Sequence, residues 1–497
     1  MTLSPNSTRY RTGQLIARGA RADFCAPAVT EMPPPRVLGD RGEDGPWTSL
    51  ARLAHVSDLH VTDTESPVRL DFVGDTADDP RYEQALPTLR PQQLTSTHAA
   101  AATLRTIARM ASTGRLDCAV LSGDLIDNGQ ANELDRVITM ISGGTVTPTA
   151  VAGRVEGVQS ALWTDSRVWQ PRADNFWAVN YGFPSDPDLL PAIGSPFEMP
   201  ALQLPVLLAR GNHDALVAGC VAWTPMLSRL VVGSEKVRAM PPPSVLQNGF
   251  AGFLADPDPF FAGAGISVTA DERRRPVTDG EFPLAFNANP TRVHGNNYVV
   301  RLNERVVIVV IDTVDVDGHP DGVFATGQAA WLEETLTAIE ADGERPVVIV
   351  ASHHGPAHNH VTIPTEGLLA GPEVVALLGR YGSVALWING HTHVGAITRH
   401  QPDGRRGFWE ITAPSLIDWP SRFQTVEVLE NPSGAISMVL ELHEFHTATS
   451  ADDPIHQLAG LHRLLTANQA GFGTIFPGSD HDEVGDSVLH LEAGLIR

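Results

Sequence analysis

The stretch LPVLLARGNHDAL, residues 204–216, runs from an apolar segment straight into Gly211, Asn212, His213 and Asp214. Four further polar clusters follow apolar runs in the same way: Asp58-Leu59-His60, Gly123-Asp124-Leu125-Ile126-Asp127, His353-His354 and Gly390-His391-Thr392-His393. Together they offer carboxylates, imidazoles and an amide oxygen, without sulfur. That donor set is borderline to hard, suited to Mn, Fe, Zn or Co rather than Cu(I). One carboxylate can bridge two ions through its two oxygens. Two ions about 4 Å apart clamp the attacking and leaving oxygens of an in-line displacement at phosphorus. They also lower the pKa of a bridging water, so that hydroxide exists near neutral pH. Read alone, Asp58 or Asp124 is a turn former or helix cap; the argument for chemistry is the combination.

Such chemistry requires the clusters to converge. The runs that precede them, RLAHVSD (52–58), DCAVLSGD (117–124), LPVLLARGN (204–212), RPVVIVASHH (345–354) and SVALWINGH (383–391), together with RVVIVVIDT (305–313), are continuously apolar. That is the signature of parallel strands covered on both faces. Ligands of open α/β sheets sit beyond the carboxyl ends of their strands, so all five clusters are expected on one edge of one sheet. Helical periodicity over 97–112, with Ala100, Leu104, Ile107 and Ala111 on one face, and over 327–340 completes an alternating α/β pattern. RGFWEIT, RFQTVEVLE and AISMVLELHEF read as antiparallel strands at the far edge, and 454–469 as a terminal helix. His391 and His393 alternate, and on a strand would face opposite ways; a loop is required there, which Gly390 permits.

Residues 1–49 read as an irregular Pro-, Gly- and Arg-rich extension, 50–430 as the catalytic domain, and 431–497 as a strand and helix packed on it. Three connections, 61–94, 128–203 and 215–296, exceed ordinary loop lengths and are expected to carry function or structure of their own. Trp163, Trp169, Phe176, Trp177 and Tyr181 are read as the core of the second.

The 497-residue chain is 42% hydrophobic and carries a formal charge of −23, from 58 acidic and 35 basic residues. That balance argues against nucleic acid, whose sequence-independent binding depends on Lys and Arg, and is compatible with a small phosphoester once bound cations invert the local sign. The three cysteines, Cys25, Cys118 and Cys220, form no disulfide or zinc pattern. Cys118 is expected in the core, and the single lysine, Lys236, speaks against Schiff-base chemistry. No membrane span or signal peptide is readable, so the chain as written reads as cytoplasmic, with export of a chain trimmed of its leader as the alternative.

D-x-H, G-D-x-x-D, G-N-H-D, H and G-H-x-H, in this order, resemble the calcineurin-like metallophosphoesterase superfamily over residues 52 to about 428. DGVFATGQAAWLEETL and GFWEITAPSLIDWP also resemble it. The inserts resemble those of an actinobacterial branch in which a twin-arginine leader often precedes the domain; no twin-arginine is readable here. The resemblance implies a four-layer α/β/β/α sandwich: two mixed sheets flanked by helices, with long inserts. It also implies two divalent or trivalent ions (Mn, Fe or Zn). Asp58, His60 and His393 would hold one, Asn212, His353 and His391 the other, and Asp124 would bridge. His213, oriented by Asp214, would protonate the leaving alkoxide. Asn212, His213 and His354 are the expected substrate contacts, with His354 alternatively behind the ligands. In the related purple acid phosphatases a tyrosine stands three residues after the bridging aspartate. Here that residue is Asp127, so no tyrosinate–iron absorption is expected.

The implied activity is hydrolysis of phosphate esters. Cyclic nucleotides or glycerophosphodiesters are narrower substrate options. A non-catalytic binding protein of the same fold, or a nuclease, is a rival reading that the complete ligand set and the acidic charge respectively disfavour. Asp127 is expected to shape a turn or back a ligand, and Asp312 to cap a strand end. His358 and His360 are read as loop residues, DERRRP (271–276) as a solvated loop, and Trp419-Pro420 as lying near the site's rim.

Overall fold

The computed structural model describes residues 46–71, 90–160, 169–171, 183–239, 241–278, 280–363, 365–404, 406–445, 453–470 and 486–492, with the short segments 10–12, 29–31 and 36–39. All six apolar runs form strands, but in two sheets rather than one. The first sheet contains β1 (Arg36–Leu38), β2 (Thr48–Val56), β3 (Cys118–Ser122), β4 (Val206–Ala209) and β5 (Ala285–Phe286). The second contains β6 (Thr291–His294), β7 (Asn297–Arg301), β8 (Val306–Val310), β9 (Val347–Ala351), β10 (Val384–Asn389), β11 (Ala396–His400) and β12 (Phe408–Thr412). The chain then returns to the first sheet with β13 (Arg422–Glu430), β14 (Ile436–Glu444) and β15 (Ser487–Leu491). The orders are β5-β4-β3-β2-β13-β14-β15-β1 and β6-β7-β8-β9-β10-β12-β11.

The alternation of side chains along a strand explains the stacking. In β2, Ala51 and Leu53 point into the core between the sheets, while Ala54 and Val56 point to the outer helices. In β8, Val306, Ile308 and Val310 face the inter-sheet core, and Val307 and Val309 face the other helical layer. The outer layers include α1 (Ser96–Ser112), α2 (Ala131–Ser142) and α5 (Pro454–Ala470) on one side, and α3 (Thr326–Glu340) and α4 (Gly371–Leu378) on the other. The architecture is the four-layer α/β/β/α sandwich. Strands β2, β3 and β4 run parallel, as do β8, β9, β10 and β12, so the clusters lie at the carboxyl ends of two parallel cores.

Three expectations about elements are corrected. The five clusters come three from one sheet and two from the other. The late strands are not a far edge: β12 pairs with β10, and the β13–β14 hairpin lies inside the first sheet next to β2. The N-terminal extension is not wholly irregular, because β1 pairs in parallel with β15. No helix among the described residues is long and apolar enough to cross a membrane.

The long connections carry cores of their own. Val68, Val217, Val221, Leu227, Phe253 and Phe260 join the first and third connections. Trp169 packs with Leu190 and Ile193 against Leu461 and Leu465 of α5, as expected of insert core. Trp163, Phe176, Trp177 and Tyr181 lie outside the described residues, as does Cys25. Cys118 is fully buried.

Candidate metal centre

The loops at the strand ends are held in an unfavourable backbone region. Asp58 (φ 54°), His60 (45°), Asp124 (50°), His391 (71°) and His393 (63°) account for five of the ten non-glycine residues with positive φ among the described residues. Each costs roughly 1–3 kcal/mol and persists only where the surroundings over-determine it. Backbone bonds supply that constraint: the Asp58, His60 and Val61 amides donate to the carbonyls of Gly123, Asp124 and Leu125 at 3.0–3.1 Å, tying the first two loops together. The Gly390 amide donates to the His353 carbonyl at 2.9 Å, and the Ile417 amide to the Asp58 carbonyl at 3.1 Å. The sheets meet so closely that a Cβ at Gly390 would collide with the Ser57 hydroxyl.

On one side, Asp58, His60 and His393 converge. His60 Nδ1 donates to Asp127 Oδ1 (3.0 Å) and His393 Nδ1 to Asp418 Oδ2 (2.6 Å). These partners turn both Nε2 atoms inward, 3.2 Å apart. Asp58 Oδ2 accepts the His391 amide at 3.2 Å. Its Oδ1 is buried, 3.3 Å from His393 Nε2, and makes no hydrogen bond. Two inward-facing ring nitrogens and an orphaned carboxylate oxygen in a buried site fit a cation, which would displace the ring protons. Burial opposes charge on His393, yet Asp58 and Asp418 raise it to about 9. Burial likewise opposes charge on Asp58, but His393 lowers it to about 2. The cluster thus favours positive charge at its centre.

On the other side stand Asn212, His353, His354 and His391. Asn212 Nδ2 donates to the Gly219 carbonyl (2.8 Å), which orients Oδ1 inward, 3.1 Å from His353 Nε2 and 3.2 Å from His354 Nε2. His353 Nδ1 is bound to the Ser122 carbonyl at 2.7 Å, leaving Nε2 to face inward. His391 Nε2 lies 3.3 Å from Asp321 Oδ1. Between the two sides lies Asp124. Its Oδ1 accepts the His213 amide at 2.8 Å, and its Oδ2 is 3.7 Å from His60 Nε2 and 3.1 Å from His353 Nε2. Burial opposes its ionisation, but His353 and His213 hold its carboxyl well below the usual range.

The His213 ring meets that of His60 edge to face with centroids 4.5 Å apart, and its side chain is 23% exposed. Its Nδ1 is held by the Asp127 backbone carbonyl at 2.7 Å. Asp214, expected to orient His213, acts on backbone amides and not on the ring. Asp214 Oδ1 accepts the Leu125 and Ile126 amides and Oδ2 accepts the Gly211 amide, so that carboxylate ties two loops together. His354, expected as a substrate contact or as lying behind the ligands, is 2% exposed, with its ring on Thr313, Pro320 and Asn212.

Sequence reasoning missed Asp418 and Asp321 as partners of His393 and His391. Asp418 lies within the SLIDWP stretch, but nothing local in the sequence links it to His393. Asp312 caps its turn as expected, accepting the Val314 amide, and pairs with Arg210 at 2.9 Å. The cis Trp419-Pro420 peptide directly follows Asp418. His358 Nδ1 lies 3.7 Å from Asp321, and His360 Nε2 lies 3.6 Å from Asp315. The DERRRP segment is not wholly solvated: Arg274 is buried against Asp63 (2.7 Å) and Glu65 (3.3 Å). Lys236 is buried against Asp71 at 2.6 Å.

Two facing mixed sheets with these donors gathered at their carboxyl ends define a metal-dependent phosphoesterase. The chain belongs to the calcineurin-like phosphoesterase family, whose model matches residues 51–395. No curated protein matches it. Among solved structures it is similar to a dimetal phosphatase from Danio rerio, at 14% identity and a TM-score of 0.35, over 80% of this chain and 96% of that one. It is also similar to a purple acid phosphatase from yellow lupin, Lupinus luteus (12%, TM-score 0.31, 80% and 52%). A third is a putative 5'-nucleotidase from Staphylococcus aureus (12%, TM-score 0.29, 82% and 57%). At these scores the individual likenesses carry no argument about substrate.

Proposed function

We infer that the protein hydrolyses small phosphate esters at a dinuclear centre of Mn, Fe or Zn ions. Asp58, His60 and His393 would hold one ion, Asn212, His353 and His391 the other, with Asp124 placed to serve both. The observation that carries this reading is the position of Asp124 Oδ2, 3.7 Å from His60 Nε2 and 3.1 Å from His353 Nε2. When bound, two such ions supply charge stabilisation to the phosphoryl oxygens and acidify the attacking water.

The chain's own residues do the rest. His213, held through Nδ1 by the Asp127 carbonyl, presents Nε2 to the leaving oxygen and protonates it. Asp214 keeps the Gly211 and Leu125–Ile126 amides in one arrangement and so positions Asn212 and His213. His354, with Nε2 3.2 Å from Asn212 Oδ1, helps to fix the amide's orientation.

The test is elemental analysis of the purified protein with rates on nitrophenyl phosphate, bis-nitrophenyl phosphate and cyclic AMP. The expected result is two ions per chain and turnover of at least one ester, with both lost in Asp124→Asn. A variant with full dinuclear occupancy would remove the bridging role, and a wild-type chain that takes up no metal would remove the reading itself.

A further inference from the structure

The imidazoles on the two sides of the centre are backed by different chemistry. His60 and His393 donate to buried carboxylates, Asp127 and Asp418, whereas on the other side His353 donates to a neutral carbonyl and His391 meets the half-exposed Asp321, which no described residue of the first connection reaches. A carboxylate behind an imidazole fixes its tautomer and makes the opposite nitrogen more basic. A buried carboxylate in turn needs a partner of its own.

Both partners come from the first long connection. Arg69 Nη1 donates to Asp127 Oδ2 at 2.5 Å. Arg90 Nη1 lies 3.7 Å from Asp418 Oδ2, and Gln92 Nε2 donates to Asp418 Oδ1 at 3.1 Å. Gln93 Oε1 joins the two arms, accepting from Arg69 Nη2 (2.8 Å) and from the Arg90 amide (3.1 Å). The 3-10 turn that carries Gln92 and Gln93, Pro91–Thr95, is pressed by α5, whose His462 Nδ1 lies 3.2 Å from the Gln92 carbonyl.

We propose that Arg69 and Arg90 are positioning residues for the ion site formed by Asp58, His60 and His393, acting through Asp127 and Asp418. The connection that carries them thereby assembles one of the two ion sites, a task distinct from lining the substrate's path. The two sites then depend on this connection unequally. The inference rests on the dinuclear reading above.

Stepwise titration of metal-free protein with zinc, against a chromophoric chelator, tests it. His393→Ala and Asn212→Ala mark which binding step belongs to which site. In the double variant Arg69→Gln/Arg90→Gln, the step abolished by His393→Ala should weaken by about tenfold or more, as for losses behind metal-bound imidazoles. The step abolished by Asn212→Ala should stay within about twofold of wild type. Arg69→Lys/Arg90→Lys, which keeps the charge, should recover part of the loss. Two unchanged steps, or two steps weakened alike, would overturn the proposal. If the double variant does not fold, Arg90→Gln alone, which leaves the deeper Arg69 pair intact, is titrated by the same criterion. A wild-type chain that binds fewer than two ions would instead defeat the dinuclear reading, an outcome separate from failure of the arginine variants.

Discussion

His213 sits against the loop of Asp124, its amide on the Asp124 carboxylate and its ring tied to the Asp127 carbonyl, and in the proposed reading it holds no ion. Removing the ring should therefore leave the ions in place. His213→Ala is expected to keep its metal content by elemental analysis and to lose roughly 10²–10⁴-fold in turnover, the usual size of a general-acid contribution. The loss should shrink for esters with good leaving groups, which need no proton. Gly219 makes a second test. It has a φ of +68°, and a Cβ there would collide with the His213 ring. The same Cβ would lie 2.7 Å from Asn212 Nδ2, so Gly219→Ala should lower turnover on a poor leaving group and also weaken binding of the ion assigned to Asn212, read by rate and metal content on one preparation. At this scale the donor types were legible in the sequence, because a strand and the loop that ends it are contiguous. The partners were not. Asp214 adjoins His213 in sequence, yet its carboxylate turns to backbone amides of another loop, and Asp418 meets His393 only through the fold.

The elements that position the site were mostly legible from periodicity. The helix expected over 97–112 is α1, Ser96–Ser112, and the one expected over 327–340 is α3, Thr326–Glu340. Which strands share a sheet was not legible, since a strand buried on both faces reads the same in either sheet. Helices α1 and α5 carry buried histidines with a consequence for acid stability. Burial and, secondarily, His462 lower His98 of α1 to about 3. Burial lowers His462 to about 4. The unfolded chain binds protons on these rings near pH 6.5, so below that pH it holds more protons than the folded chain. Their contribution is fully present above about pH 6.5 and falls as pH drops toward 4. His98 Nδ1 has no hydrogen-bond partner among the described residues, and the ring lies 5.3 Å from that of Phe197. His98→Phe should therefore flatten the acid limb. Urea unfolding at pH 7 and pH 4.5 should show a smaller difference in the variant than in wild type, and an equal difference would remove His98 as a cause.

Across the whole molecule, five strained loop residues and a buried set of carboxylates meet where two sheets approach. A ligand that binds only the folded state stabilises it, by about 2.7 kcal/mol at a hundred times its dissociation constant. Chelation should therefore lower the unfolding temperature by several degrees, and stoichiometric metal should restore it. A melting curve indifferent to chelator would mean that the loops hold their shape unaided. The formal charge of −23 makes the cations the natural attractors for an anionic ester.

The chain's residue order alone determined that metal donors of a hydrolytic kind stand at the ends of apolar strands, because strand propensity and the step into a loop are local properties. Only the tertiary structure decided that these ends belong to two facing sheets and that His60 meets His393 across 333 positions. The same holds for the pairing of Arg69 and Arg90 with the aspartates behind those rings. Such contacts are set by packing through space, where sequence separation carries no weight.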